Sequence, residues 1–261
     1  MASKNDVPGT AAFTKFMTVL QAVSDASHPP SVGDLSKALG YPRPTTHRIV
    51  AALLAEGMLV EKGTDGRVGL GARLISLAYK AWEGSDLRAI AEPHLIHLRD
   101  ALDETVHLAM RSGLEMAYIS KLESRRTVRM ASRIGTRVTL YSSSVGKAWL
   151  SQQSPEEVKK LIAAITLRPL TDKTITQVDE LLAQIELSAA RGYTTDLEEN
   201  EEDICCYGSA IVVPGQGVVG CVSVSMPSYR FQALDEGKAV EAIQACTRAI
   251  ATEAQTRLTT R

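Results

Sequence analysis

The chain has no excess of either charge: 29 Lys and Arg stand against 30 Asp and Glu in 261 residues, a formal net charge of −1. Global attraction to nucleic acid or to an anionic membrane is therefore excluded, and any contact with DNA must come from a local patch. Long apolar runs are missing too. None approaches the roughly 20 residues that span a bilayer. The opening MASKNDVPGT contains no hydrophobic signal region, so a cytoplasmic protein with no membrane partner is the expectation. The four cysteines, Cys205, Cys206, Cys221 and Cys246, form no CxxC pair, which suggests neither a disulfide framework nor a structural zinc site. Internal repeats and low-complexity tracts are absent. The phosphate-loop pattern fails around SSSVGKA, because Tyr141 stands where its first glycine belongs and Ala148 follows Lys147. No cofactor is implied.

What is present is ordinary globular composition, 44% hydrophobic and 23% charged, in a chain long enough for two domains. Phe13, Phe16, Met17, Leu20 and Val23 recur at helical spacing, and HPP at 28–30 ends that run. SVGDLSKALG follows, with Ser31 and Asp34 at capping-box spacing and Gly40 as a stop. PTTHRIVAALLAEG predicts a third helix, with Pro44 at its first position. MLVEKGTDGRVGLG then predicts strand, turn and strand about Asp65–Gly66. Three helices and a hairpin, with a tight break before the third helix, spell a winged helix-turn-helix.

In such a unit the second helix of the motif enters the major groove of double-stranded DNA. The candidates there are Arg43, Thr45, Thr46, His47 and Arg48, with Lys62 and Arg67 supplying charge on the wing. Residues 1–72 carry seven Lys and Arg against six Asp and Glu, so any grip on DNA depends on where these charges sit.

A helical run from Ala72 leads to EGSD at 83–86, and LRAIAEPHLIHLRDALDE continues as helix, kinked or restarted at Pro93. Beyond residue 105 short β-like runs (VHLAM, MAYISKL, TVRMASRI) alternate with helices at 155–165, 177–191 and 235–256, which predicts an α+β domain with a largely antiparallel sheet. The expected organisation is an arm at 1–10, a winged helix-turn-helix at 11–71, a linker helix at 72–88 and a second domain at 89–261.

The second domain holds DLEENEEDICC at 196–206. As the nucleophile of a hydrolase Cys206 would need a nearby base, whereas its neighbours are acids that raise a thiol pKa. Cys205 and Cys206 point to opposite faces of a strand and cannot share one metal ion. His94, His97 and His107 are expected to be surface or core residues. A binding role fits better. In CVSVSM, Ser223 and Ser225 share one strand face, which is either solvated or lines a polar cavity. The serines of SSSVGKAWL open a helix whose free N–H groups suit a small carboxylate, unless they serve as caps alone.

PRPTTHRIVAALLAEGMLV, GTRVTLYSSSVGKAWL and RGYTTDLEENEEDICC followed by CVSVS together resemble the isocitrate-lyase-regulator (IclR) family of bacterial transcription factors over nearly the whole chain. The resemblance implies a GAF-like effector-binding domain behind the winged helix, a linker helix that helps dimerise, and a homodimer or homotetramer on operator DNA. It implies an effector site of Val138, Ser144, Val145, Asp196, Cys206, Ser223 and Ser225, with Cys206 rather than Cys205 facing the ligand. Asp196 would accept a bond from a ligand hydroxyl or fix a pocket donor, while the glutamates beside it stay solvated or cap the loop. TVRMASRIGTRVTLYSS is most similar to the branch that senses 2-keto-3-deoxygluconate and related sugar acids. Thr139, Asp203 and Ala210 stand where the family usually has Pro, Gly and Pro, and Pro44 replaces the usual small capping residue.

Overall fold

The computed structural model describes residues 10–83, 87–128 and 130–259, without the side chains of 79–83 and 258–259. The expected arm at 1–10 lies, apart from Thr10, outside the described residues, as do 84–86 of the EGSD break. The chain divides into two compact units, Met1–Ser85 and Asp86–Arg261.

In the first unit α1 (Ala11–Asp25), α2 (Val32–Leu39) and α3 (Arg43–Ala55) precede a hairpin of β1 (Leu59–Lys62) and β2 (Arg67–Leu70). The expected capping box forms at α2: Asp34 N donates to Ser31 Oγ at 3.2 Å, and Ser31 N donates to Asp34 Oδ2 at 2.9 Å. The helix stops at Gly40 in the left-handed conformation that glycine tolerates best (φ 66°). Arg43 rather than Pro44 is the first residue of α3, and Pro42 occupies the N-cap position without a side-chain cap. Val19, Val23, Leu35, Ile49, Leu53, Leu59 and Val68 close one small core. The helix α4 (Ala72–Glu83) completes the unit.

In the second unit α5 (Leu87–Leu102) runs unbroken through Pro93. An interior proline costs about 3 kcal/mol. Burying Leu87, Ile90, Leu95, Leu98 and Leu102 on one face outweighs it, at about 1.5–3 kcal/mol for each large side chain. The six-stranded sheet is antiparallel throughout, in the order β5 (Arg137–Thr139), β4 (Glu115–Leu122), β3 (Thr105–Ser112), β8 (Gly217–Pro227), β7 (Ile204–Val213), β6 (Thr194–Leu197).

Both sheet faces are covered. On one, Val106, Leu108, Tyr207, Val222 and Val224 pack against α5 and the long α10 (Glu236–Thr259), whose Ala239, Ile243, Cys246, Ile250 and Ala254 recur at helical spacing. The short α9 (Ser228–Ala233) joins this layer, tied down by a two-pronged ion pair from Arg230 to the buried Glu104, with both N···O distances 2.7 Å. On the other face Ala109, Met116, Tyr118, Val138 and Cys221 meet α6 (Ser144–Leu150), α7 (Pro155–Ala163) and α8 (Val178–Arg191).

TVRMASRI, expected as a strand, is irregular over its described residues. Its carbonyls go elsewhere: Lys121 Nζ donates to Met130 O at 2.8 Å and to Ser132 O at 2.7 Å. The edge beside β4 is taken by β5 instead. Just before this segment Arg125 and Arg126 pair with Asp100 and Asp103, and after it Arg137 pairs with Glu115.

The placement of α6 depends on Gly146. A Cβ there would lie 2.4 Å from Thr139 O and 2.5 Å from Leu140 Cα, which are backbone atoms that cannot step aside. Gly146→Ala is expected to destabilise the fold by about 1–3 kcal/mol, as overpacking does. Gly33→Ala, whose Cβ would meet only Ser31 Oγ at 3.6 Å, is expected to be neutral or slightly stabilising. Urea denaturation of both variants checks this.

Candidate functional site

Antiparallel register carries polar side chains across the sheet in two rows. Asp196 of β6 opposes Cys206 of β7, Cys206 opposes Ser225 of β8, and Ser225 opposes Thr105 of β3. One step along, Thr194, Gly208, Ser223, His107 and Lys121 line up in the same way. Strand alternation puts both rows on the face covered by α6 to α8. Ser223 and Ser225 are 1% and 3% exposed, so the alternative of a solvated outer face is ruled out.

The rows are wired together. The Cys206 thiol donates to Ser225 Oγ at 3.2 Å, and the Thr194 hydroxyl ties Ser144 to the second row by donating to Ser144 O at 2.7 Å. Ser225 Oγ and Ser223 Oγ lie 3.3 and 3.4 Å from His107 Nδ1. The His107 ring stacks on Tyr118 at 4.3 Å between centroids. Tyr118 belongs to the apolar cluster that holds Val138 and Val145. The structure thus brings Ser144, Asp196, Cys206, Ser223 and Ser225 into one buried cluster and sets Val138 and Val145 in its apolar wall. Cys205, turned the other way, takes no part in this chain of hydrogen bonds.

DLEENEEDICC resolves into a hairpin: the end of β6, a loop at 198–203 with Glu198 and Asp203 in left-handed conformation (φ 64° and 62°), and the start of β7. Glu201, Glu202 and Asp203 are exposed, and Glu198 pairs with Lys173. Glu199 departs from the expected solvated role. It is 3% exposed and takes a 2.6 Å hydrogen bond from the fully buried Lys147 Nζ, which also donates to Gln184 Oε1 at 2.8 Å. Glu199 N in turn donates to Asp196 Oδ1 at 2.8 Å. The hairpin is therefore anchored to α6 through one buried ion pair. Sequence reasoning missed Lys147, Glu199, His107, Tyr118 and Ser132. A lysine inside the apolar run VGKAWL was the one legible signal.

Burial sets the protonation states. Desolvation raises Asp196 to about 7, against the pull of Lys147. It pushes His107 down to about 3, helped by the Lys121 charge. The Cys206 thiol is raised well above its ordinary value by burial and by Asp196, so it stays protonated and is not activated as a nucleophile. No group of three or more His, Cys, Asp or Glu among the described residues is placed to hold a metal ion.

On the first unit, Arg43, His47 and Arg48 are exposed along α3 and Thr45 is half-buried. Thr46 does not stand with them. It is fully buried, with its hydroxyl on Pro42 O at 3.3 Å, and supports the helix from inside. On the wing, Lys62 is exposed, while Arg67 is engaged by Asp65 at 2.7 Å and by Pro29 O at 2.9 Å.

The two shifted groups oppose each other in stability. Asp196 binds more protons folded than unfolded between about pH 4 and 7, so its contribution is lost as pH rises through that window. His107 binds fewer protons when folded between about pH 3 and 6.5, so its contribution is lost as pH falls. Asp196→Asn leaves the His107 term uncompensated. The variant's unfolding free energy is expected to climb more steeply with pH than the wild type's over about pH 4.5–6.5, by up to about 1.4 kcal/mol per pH unit. Urea midpoints across that range check it.

Two family models match. Residues 12–63 match the IclR helix-turn-helix domain, and residues 79–252 match the bacterial transcriptional regulator IclR C-terminal domain. The HTH-type transcriptional repressor AllR of Escherichia coli (strain K12) is 32% identical over 224 residues, 85% of this chain and 82% of that one. The HTH-type transcriptional regulator KdgR of Dickeya chrysanthemi is 30% identical over 217 residues, 83% of this chain and 71% of that one. Among solved structures, an IclR homolog complexed with 4-hydroxybenzoate from Microbacterium hydrocarbonoxydans superposes with a TM-score of 0.80 at 23% identity, covering 94% of this chain and all of that one. The winged helix, the six-stranded antiparallel domain behind it and these matches lead to one conclusion: the chain belongs to the IclR family of bacterial transcriptional regulators.

Proposed function

We propose that this protein binds double-stranded operator DNA through its first unit and a small carboxylate effector, a keto acid or sugar acid of carbon catabolism, through its second. The observation that carries the effector reading is the buried row Asp196–Cys206–Ser225, with Ser223, Ser144, Val138 and Val145 around it. Evolution of a stable core would favour apolar residues at such positions, because burying polar groups costs free energy unless they are fully paired. The solved relative with 4-hydroxybenzoate supports a small organic acid as the class of ligand. The similarity to KdgR supports the sugar-acid branch within that class.

Arg43, Thr45, His47 and Arg48 would read or grip the major groove, with Lys62 and Arg67 on the flanking phosphates. Two such helices, in a homodimer or homotetramer, fit an operator of two-fold character. Exposed Phe13 and Met17 on α1 and Ile75 and Leu77 on α4 support a second copy as the partner of this unit. The effector acts by binding one state of the assembly more tightly than the other. The protein works in the cytoplasm and needs neither metal nor cofactor.

Fluorescence anisotropy on the DNA flanking its own gene tests the first half. Arg43→Ala is expected to cost about 1–3 kcal/mol on the specific site. Arg48→Ala is expected to weaken specific and nonspecific DNA alike and to lower the salt slope by about 1. Absence of a discrete complex at low ionic strength would refute DNA binding. Thermal-shift assays with pyruvate, 2-keto-3-deoxygluconate, gluconate and 4-hydroxybenzoate test the second half. At least one acid is expected to raise the melting temperature of the wild type and not that of Ser225→Ala.

A further inference from the structure

His107 lies outside the residues assigned to the effector site by family resemblance, yet it touches both effector-site serines of β8. The imidazole is 2% exposed and bonded at both edges. Nε2 meets Ser132 Oγ at 2.8 Å, and Nδ1 meets Ser225 Oγ at 3.3 Å and Ser223 Oγ at 3.4 Å. One face is closed by Tyr118. A neutral imidazole has one N–H and one lone pair, so the direction of the bond to Ser132 dictates the direction of the bonds to the other two serines.

The electrostatics choose between the two directions. Lys121 Nζ, which holds Ser132 O at 2.7 Å, sits on the Nε2 side, and its charge acts on His107. A cation there favours the nitrogen lone pair facing it, so the Ser132 hydroxyl donates to Nε2 and the proton rests on Nδ1. Nδ1–H then donates to the serine oxygens. Ser225 Oγ already accepts from the Cys206 thiol. With both neighbours donating, the two lone pairs of Ser225 Oγ are taken and its hydroxyl keeps its own hydrogen for something else, whereas Ser223 Oγ, which accepts from the ring alone, keeps one lone pair.

We infer that His107 is a specificity-determining residue of the effector site, turning the Ser225 hydroxyl into a donor that cannot accept, so that a 2-keto acid is preferred over the matching 2-hydroxy acid. This rests on the proposal that the polar rows bind the effector. The chemistry is simple. A carboxylate with an adjacent keto oxygen presents only acceptors and satisfies both hydroxyls. A 2-hydroxyl group against Ser225 carries a hydrogen of its own to donate, and it finds that serine oxygen already filled by His107 and Cys206. A buried donor left without an acceptor costs the complex on the order of a single hydrogen bond or more.

Two measurements test it. The first needs no ligand. Long-range proton–nitrogen NMR on the histidine-labelled full chain is expected to show His107 as the Nδ1–H tautomer, not titrating between about pH 5 and 8. An Nε2–H ring, or one that titrates near its ordinary value, would overturn the inference. The second is calorimetric titration with matched pairs, pyruvate against lactate and 2-ketogluconate against gluconate. The wild type is expected to prefer the keto member by roughly tenfold, the worth of one hydrogen bond. His107→Phe keeps the stack on Tyr118 and is expected to bring each pair within about threefold.

Ser132→Ala, which removes the group that sets the tautomer without touching the stack, is expected to act in the same direction and serves if His107→Phe does not fold. A keto preference that survives in whichever variant folds overturns the inference while leaving the effector site standing. A wild type that binds no acid of either kind, like a Ser225→Ala variant that binds as the wild type does, removes the effector site itself and the inference with it.

Discussion

The second unit depends on one constraint: its sheet is covered on both faces, so polar side chains on the inner face have no water to turn to. Each buried hydroxyl or carboxyl must find a partner within the protein or in something the protein binds, since an unpaired one costs about 1–3 kcal/mol. Cys206, Ser225, Ser223 and His107 meet this demand by bonding to one another across three strands, and Asp196 meets it by accepting from the backbone N–H groups of Glu199 and Asn200. A core built for stability alone would have no reason to assemble such a chain. Its concentration in one place, beneath the first turn of α6, is the physical ground for reading this face as a binding surface.

The same constraint explains the acidic hairpin. Lys147 sits on a helix whose other residues are all buried, so its ammonium cannot reach water. Glu199 reaches in to neutralise it, and Gln184 Oε1 accepts a further hydrogen bond from it. A pair of this kind adds little net stability over an apolar substitute, but removing one partner strands a charge in the interior. What the pair supplies is position. Because Glu199 N also holds Asp196 Oδ1, the ion pair fixes the carboxyl at the end of the polar row. Residue 203 shows a related economy: Asp203 adopts the left-handed conformation (φ 62°) where the family often has glycine, and aspartate is among the few other residues that tolerate it.

Local rules made much of the fold legible. Ser31, Asp34 and Gly40 announced α2, and the three helices with a hairpin announced the winged helix, because caps and turns act over a few residues. The alternation in CVSVSM placed Ser223 and Ser225 on one face for the same reason. What stayed hidden was long-range. His107 stands 116 residues before Ser223, and only strand register sets them side by side. Thr46 looked like its neighbours in the reading helix until packing turned it inward. TVRMASRI alternates like a strand, but Lys121, a residue outside the run, captures its carbonyls. In none of these cases does the periodicity of the run itself name the deciding contact. Family resemblance supplied part of what register would have, since it selected Cys206 over Cys205 and gathered Ser144 with Asp196.

The claim at the centre is that the polar rows between the sheet and α6 are where a small acid is held. Hydrogen–deuterium exchange of the full chain, with and without an acid that raises its melting temperature, tests this most directly. Slowed exchange at 194–206 and 221–226, with none confined to α1 to α3, is the expected result. An acid that stabilises the protein while leaving exchange at 194–206 and 221–226 unchanged would contradict it.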